Sequence, residues 1–315
     1  MIDCIKRRLV IVSLSLVMVT AVAGQSGSVQ WNDSDRLRGV DRSRFHFAVL
    51  GDRTGSGPDS WKIMMSAVRE INRLSPDFTV MVGDVIEGDD IGPEAIVSRW
   101  AEARKVLDSL DVPFFLVPGN NDIWNPESYA AWKKINGPTY SSFTHRDCSF
   151  ILLNSEEERS HGEAGFGAQQ VRFAISEIEK HDPARPLFVF MHQPAWMLSG
   201  SIREQWETIA SHLKGHNATV FGGHLHILAV DGSGETRYVL AGPTGGQLRL
   251  AYNPDMAIFH NYAWVTVDGS DAALSFIEPG HIRSEEMARR AYSRYQMILK
   301  LIEKDPRALQ LLKSP

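Results

Sequence analysis

Cysteine is scarce in this chain, with two in 315 residues, Cys4 and Cys148. A framework of disulfides is therefore excluded. Basic runs are equally scarce: beyond the N-terminus there is no long Lys/Arg stretch and no aromatic-basic platform. With a formal net charge of −5, this argues against a nucleic-acid surface, so no nucleic-acid partner is expected. Internal repeats and low-complexity tracts are absent. The apolar stretch from Leu9 to Val22 is short for a membrane span.

What is present suits one catalytic domain, since 43% hydrophobic and 23% charged residues can build a full core. Lys6, Arg7 and Arg8 precede the Leu9 to Val22 stretch, and Ala21-Val22-Ala23 leads into Gly24-Gln25-Ser26. That order reads as a signal peptide over residues 1–23, cleaved after Ala23, with an uncleaved anchor as the alternative. Cleavage implies export to a periplasmic or extracellular space, with no stable membrane span afterwards. It also leaves Cys148 alone, without an intramolecular disulfide. Cys4 precedes the apolar stretch, out of place for a lipoprotein cysteine. Residues 24–43 read as a linker, 44–279 as the catalytic domain and 280–315 as a C-terminal amphipathic helix. The stripe Met287, Ala291, Tyr295, Ile298, Leu299 and Ile302 on that helix must pack on the domain or on a partner, such as a second copy in a homodimer.

Strand and helix patterns alternate. Strands are expected at Phe45–Leu50, Phe78–Val82, Pro113–Val117, Phe150–Leu153, Leu187–Met191 and Thr219–Phe221. Helices are expected at Asp59–Leu74, Pro93–Leu110, Glu127–Ile135, Gly167–His181 and Ile202–Leu213. After His226 the pattern changes to hairpins, at Tyr238–Leu240, Ala263–Val267 and Ala273–Ile277. Gly242-Pro243-Thr244-Gly245-Gly246 reads best as a glycine-rich hairpin loop, with a segment bordering the site as the alternative.

The chemistry lies at the strand ends. Val49-Leu50-Gly51-Asp52, Met81-Val82-Gly83-Asp84 and Val117-Pro118-Gly119-Asn120 each finish in an oxygen donor. Met191-His192 and Gly222-Gly223-His224-Leu225-His226 finish in imidazoles. Neutral imidazoles are the commonest metal ligands, and a mixed oxygen and nitrogen set suits manganese, iron or zinc better than calcium. Open α/β sheets place their sites at the carboxyl ends of strands.

This series of five strand ends resembles the calcineurin-like metallophosphoesterase family over roughly Phe45 to Glu278. The resemblance implies an α/β fold: a two-layer or four-layer sandwich of mixed β-sheets flanked by helices. It implies a hydrolase acting on phosphomonoesters or phosphodiesters through a hydroxide bridging two metal ions. Asp52, Asp84 and His226 would hold the first ion, and Asp84, Asn120, His192 and His224 the second, with Asp84 bridging. Gly51-Asp52-Arg53-Thr54-Gly55 with Gly83-Asp84-Val85-Ile86-Glu87-Gly88 looks like a secreted subgroup of the family.

Two positions depart from the family pattern. Thr54 stands where a histidine ligand is usual, and Glu87 is a candidate metal ligand or an outer support. Asn121 replaces a histidine thought to assist the leaving group; it can donate a hydrogen bond but cannot carry a proton. Arg53 is expected to compensate by gripping phosphoryl oxygens bidentately, and Asp122 to orient Asn121. His161 and His260 are candidate substitutes for the missing acid, but read better as ordinary loop or surface histidines. The alternative function is a catalytically degenerate relative serving as a binding or scaffold module.

Overall fold

The computed structural model of the chain describes residues 28–30, 44–89, 92–158, 163–232, 235–279 and 281–304. The signal peptide, most of the linker, His161 and residues 305–315 lie outside them.

The first half of the described chain runs β1 (Ser28–Gln30), β2 (Arg44–Leu50), α1 (Ser60–Leu74), β3 (Phe78–Met81), α2 (Pro93–Leu107) and β4 (Phe114–Leu116), then α3 (Pro126–Ile135), β5 (Ser141–His145) and β6 (Cys148–Leu152). The second half runs α4 (Gly167–Lys180), β7 (Leu187–Phe190), α5 (Ser201–Ser211), β8 (Ala218–Gly222), β9 (Ala229–Asp231) and β10 (Thr236–Leu240), then β11 (Tyr262–Asp268), β12 (Asp271–Glu278), β13 (His281–Ser284) and α6 (Glu285–Lys304). Seven strands form one mixed sheet in the order β1-β5-β6-β7-β8-β10-β9, and six form the other in the order β13-β12-β11-β2-β3-β4.

The two sheets face each other across an aromatic core. Strand β2 sends Phe45, Phe47 and Val49 into it, and β7 sends Phe188 and Phe190. Phe47 meets Phe188 edge-on at 4.9 Å, while Phe143 and Phe150 stack at 4.7 Å, arrangements that aromatic quadrupoles favour. The alternate residues of the same strands are apolar too. Ala48 and Leu50 pack outward against α1, α2 and α3, and Leu187 and Val189 outward against α4 and α5. The fold is thus a four-layer α/β/β/α sandwich, and strands covered on both faces are mainly apolar for that reason, β7 (Leu187–Phe190) throughout.

Helix starts follow local rules. Pro93 and Pro126 open α2 and α3, and the Asn125 side chain accepts from the Ser128 amide in a capping box. Helix α6 packs over β9 and the turn at Pro254–Met256, with Ala288 buried and Met287 against the central core. The start of the C-terminal stripe is therefore covered by the chain's own domain. Among the described residues no helix is long and apolar enough to cross a membrane.

The strands and helices expected between Phe45 and Ile277 are present within a few residues of their predicted bounds. Two expectations are corrected. Residues 281–284, expected within the C-terminal helix, pair with β12 as β13, and α6 starts at Glu285. Strand β10 does not form a hairpin with β11; it pairs parallel with β8 and antiparallel with β9, while β11 and β12 form a hairpin in the opposite sheet. The crossing that results carries residues 241–261 over the top of the sandwich.

Candidate metal centre

Strands β2, β3 and β4 run parallel in one sheet and β7 and β8 parallel in the other. Their carboxyl ends deliver Asp52, Asp84 and Asn120 from one side and His192, His224 and His226 from the other. Asp52, Asp84, His192 and His226 are buried. One carboxylate or imidazole atom from each of Asp52, Asp84 and His226 lies within 4.8 Å of the others. Around the same Asp84, His192 Nε2 is 3.3 Å from Asp84 Oδ1 and 3.1 Å from Asn120 Oδ1. The ring of His224 lies 5.2 Å from that of His192.

The imidazoles are set in a defined tautomer. His192 Nδ1 is 2.8 Å from the Val82 carbonyl, and His226 Nδ1 is 2.7 Å from the Gln247 carbonyl. Carbonyl oxygens only accept, so each Nδ1 carries a proton and each Nε2 is turned toward the carboxylates, where its lone pair is what a cation would take. This outer pairing is how metal-binding histidines are held. The field agrees. Burial opposes charge on His192, but Asp84 and Asp52 raise its pKa to about 9, which marks a place that attracts cations. His224 is driven the other way, to about 3, by burial and by His192, so it stays neutral. Burial raises Asp52; Asp84 is equally buried, yet His192 and two donors from Asn121 draw it below the usual carboxylate value. Donor types, tautomers and field all fit a metal centre.

Close approach makes the glycines of the strand ends obligatory. A Cβ on Gly119 would fall on Asp84 Oδ1, and one on Gly223 would come within 2.6 Å of Asp52 Oδ2. Asp84, His224 and His226 themselves adopt left-handed backbone, at φ 54°, 67° and 54°. Such conformations are unfavourable for these residue types and persist where the surroundings impose them.

Other expected site residues are placed differently. Arg53 is corrected: its guanidinium is buried, donating to the Val85 carbonyl at 2.6 Å, Ser60 Oγ at 2.8 Å and Glu87 at 3.0 Å. It lies over the Trp61 ring at 4.3 Å and does not line the cleft. Three of its five N–H donors are engaged inside the protein, away from the cleft. Glu87 lines the cleft, with one oxygen accepting from Arg53 at 3.0 Å and the other from the Gly55 amide at 3.0 Å. Asp122 is also corrected. It does not bond the Asn121 side chain but accepts the amides of Val85, Ile86 and Gly119, tying two ligand loops together. Burial, with Asp84 nearby, pushes its pKa up to about 7. Asn121 donates from Nδ2 to Asp84 Oδ2 at 2.7 Å and to Thr54 Oγ1 at 3.4 Å, and Thr54 Oγ1 lies 3.3 Å from the same Asp84 oxygen.

A cleft of about 220 Å³ opens onto this cluster, lined by Asp84, Asn120, Asn121 and His224 together with Gln247 and Arg249. The last two were missed in the sequence. They follow the glycine-rich segment, which is no hairpin loop but a strap across the site: Gly246 donates to the Asp52 carbonyl and Gln247 to the Thr54 carbonyl, both at 2.9 Å. The glycines were the available signal. A buried carboxylate, Glu156, was also missed; it accepts from Gln193 Nε2 at 2.7 Å and so holds the turn after His192. His260 does not line the cleft.

Residues 45–228 match the family model of the calcineurin-like phosphoesterases. No curated protein matches the chain. Solved structures of low identity share the fold. A dimetal phosphatase from Danio rerio aligns with a TM-score of 0.56 and 14% identity, over 76% of this chain and 97% of its own. A purple acid phosphatase from yellow lupin (Lupinus luteus) seeds aligns at 0.55 and 13%, over 76% and 52% respectively. GAP50, the anchor in the inner membrane complex of Plasmodium, aligns at 0.53 and 14%, over 77% and 88%.

Proposed function

The chain belongs to the calcineurin-like phosphoesterase family and is a metal-dependent hydrolase of phosphate esters, and from that premise we propose a dinuclear centre built on Asp84. Asp52, Asp84 and His226 hold one cation, and Asp84, Asn120, His192 and His224 the other, with manganese, iron or zinc suited to the donors. The observation that carries this reading is the convergence of both sheets' strand ends on Asp84, with His192 Nε2 and His226 Nε2 facing the carboxylates. Cations held there supply charge stabilisation at phosphorus and a nucleophilic water at neutral pH.

The chain's own residues do the remainder. Asn121 has one amide hydrogen on Asp84 at 2.7 Å, while its contact with Thr54 is long, at 3.4 Å. That second hydrogen is available to a phosphoryl oxygen. Asn121 donates no proton to a leaving group, so esters of acidic alcohols such as phenols are favoured over alkyl esters. Glu87 and Asp122 hold the loops rather than the substrate.

Metal content per chain, measured with hydrolysis of an aryl phosphate, tests the reading. Two metals and metal-dependent turnover support it. One metal or none, without turnover, overturns it in favour of a binding or scaffold role. Export is part of the same proposal, supported by Lys6, Arg7 and Arg8 ahead of the Leu9 to Val22 stretch. The intact mass of the mature protein tests that point, because retention of residues 1–23 would contradict cleavage.

A further inference from the structure

We propose that Arg249 is the phosphate-recognition residue of this cleft and that it makes the enzyme selective for phosphomonoesters over phosphodiesters. The inference rests on the dinuclear reading above and names the substrate class of that site. With Arg53 withdrawn into the protein, Arg249 is the only lysine or arginine among the described residues lining the cleft. It is exposed, and among the described residues its guanidinium has no hydrogen-bond or ion-pair partner. It shares the cleft lining with His224, Asn120 and Asp84, and also with the carboxylates Glu87 and Asp89.

Its placement is built. Two residues before Arg249, the amide of Gln247 donates to the Thr54 carbonyl at 2.9 Å and the Gln247 carbonyl accepts from His226 at 2.7 Å. The Gly246 amide is bonded to the Asp52 carbonyl at 2.9 Å. The strap bearing Arg249 is thus stitched to loops carrying ligand residues from both sheets, so the arginine's reach is referenced to the metal centre.

The selectivity follows from counting oxygens. A phosphate monoester dianion presents three non-bridging oxygens and a diester anion two. Two cations held as proposed would engage two of them. The third oxygen, with the second negative charge, exists only in the monoester, and a guanidinium matches it in charge and hydrogen-bonding geometry. The cleft of about 220 Å³ is below the usual 300–1,000 Å³ of small-molecule pockets, which fits a phosphoryl group with its remaining substituent pointing outward.

The experiment compares the wild type with Arg249→Ala and Arg249→Lys, each loaded with metal and assayed for metal content. Inorganic phosphate binding is titrated by calorimetry. kcat/KM is measured on an aryl phosphate monoester and the matching diaryl diester. Arg249→Ala should keep its metal, weaken phosphate binding and lower monoester kcat/KM by about 10- to 100-fold, the range for a hydrogen bond to a charged group. Diester kcat/KM should change by less than about 3-fold, since no lost contact is involved. Arg249→Lys should recover part of the phosphate affinity, because charge is restored without the fork. Equal losses on both esters, or no loss of phosphate affinity, would overturn the proposal. If the wild type holds metal but hydrolyses neither ester, the hydrolytic reading fails separately, and the phosphate titration alone decides Arg249: a loss in Arg249→Ala sustains the recognition site, and unchanged affinity removes it.

Discussion

At the scale of single residues, the centre depends on positions that tolerate one side chain. Asp84 is the clearest, because its two oxygens face His192, Thr54 and Asn121 together. Asp84→Asn removes the shared charge while keeping the shape. It is expected to lower metal-dependent hydrolysis by at least about 100-fold, the upper end of what loss of an outer-shell partner costs, with the far-UV circular dichroism unchanged. Full activity would remove Asp84 from the centre. Gly119→Ala is a steric counterpart, since the new methyl would fall on Asp84 Oδ1. A displaced loop should cost about 1–3 kcal/mol of stability along with bound metal, read by denaturant unfolding and metal analysis. Asn121→His restores a proton donor at the mouth of the cleft. It should raise the rate on alkyl phosphates by up to about 100-fold and leave aryl phosphates nearly unchanged; a uniform effect would mean that leaving-group protonation is not what Asn121 lacks.

At the scale of elements, the two sheets are tied at both ends. The metal loops tie the top, and Asp77 ties the bottom, where its Oδ1 accepts from His145 at 3.2 Å and Arg146 at 3.1 Å and its Oδ2 from the His46 amide at 3.1 Å. Burial pushes the Asp77 carboxyl up, but the His145 and His46 hydrogen bonds and Arg146 together hold it below 3.8. A depressed folded pKa contributes stability that is present above the ordinary value and disappears as pH falls through the folded one. Asp77→Asn should therefore cost about 1.5–3 kcal/mol at neutral pH, with the difference beginning to shrink only as pH falls below the ordinary carboxylate value of about 3.9 and vanishing below the depressed folded value. Unfolding curves at pH 7 and pH 3 check this, and a pH-independent difference would contradict it. Elements of this kind differ in how far a sequence announces them. Strands β2, β3, β7 and β8 are legible because both faces are largely buried, leaving mainly apolar runs, interrupted by His46, Thr79 and Thr219, that end in Gly-Asp or histidine. Strand β5 is not, because buried Ser142 and His145 make Ser141–His145 look like a polar loop. Six ligand candidates could be read from strand ends, whereas the internal role of Arg53 could not. Its partners Val85, Glu87 and Trp61 are brought to it only by packing.

At the scale of the whole molecule, the metal centre is also a joint. Asp52, Asp84 and Asn120 belong to one sheet and His192, His224 and His226 to the other, with the His224 amide donating to Asp52 at 2.9 Å and His192 to the Val82 carbonyl at 2.8 Å across the seam. The aromatic core between the sheets is non-directional in its attraction, so it resists separation more than it fixes register at the top. A cation bound to donors from both layers adds that constraint and binds the folded state alone. At a free concentration 100 times its dissociation constant it stabilises the fold by about 2.7 kcal/mol, which for a domain of this size shifts the melting temperature by about 5–10 °C. Thermal unfolding with excess manganese or zinc, and again after chelation, measures the difference. Asp84→Asn should melt at the same temperature in both conditions, because the residue shared by the two donor sets is lost. If chelation strips the metal and the wild type melts unchanged, the two layers are held in register without it, and the centre contributes to catalysis alone.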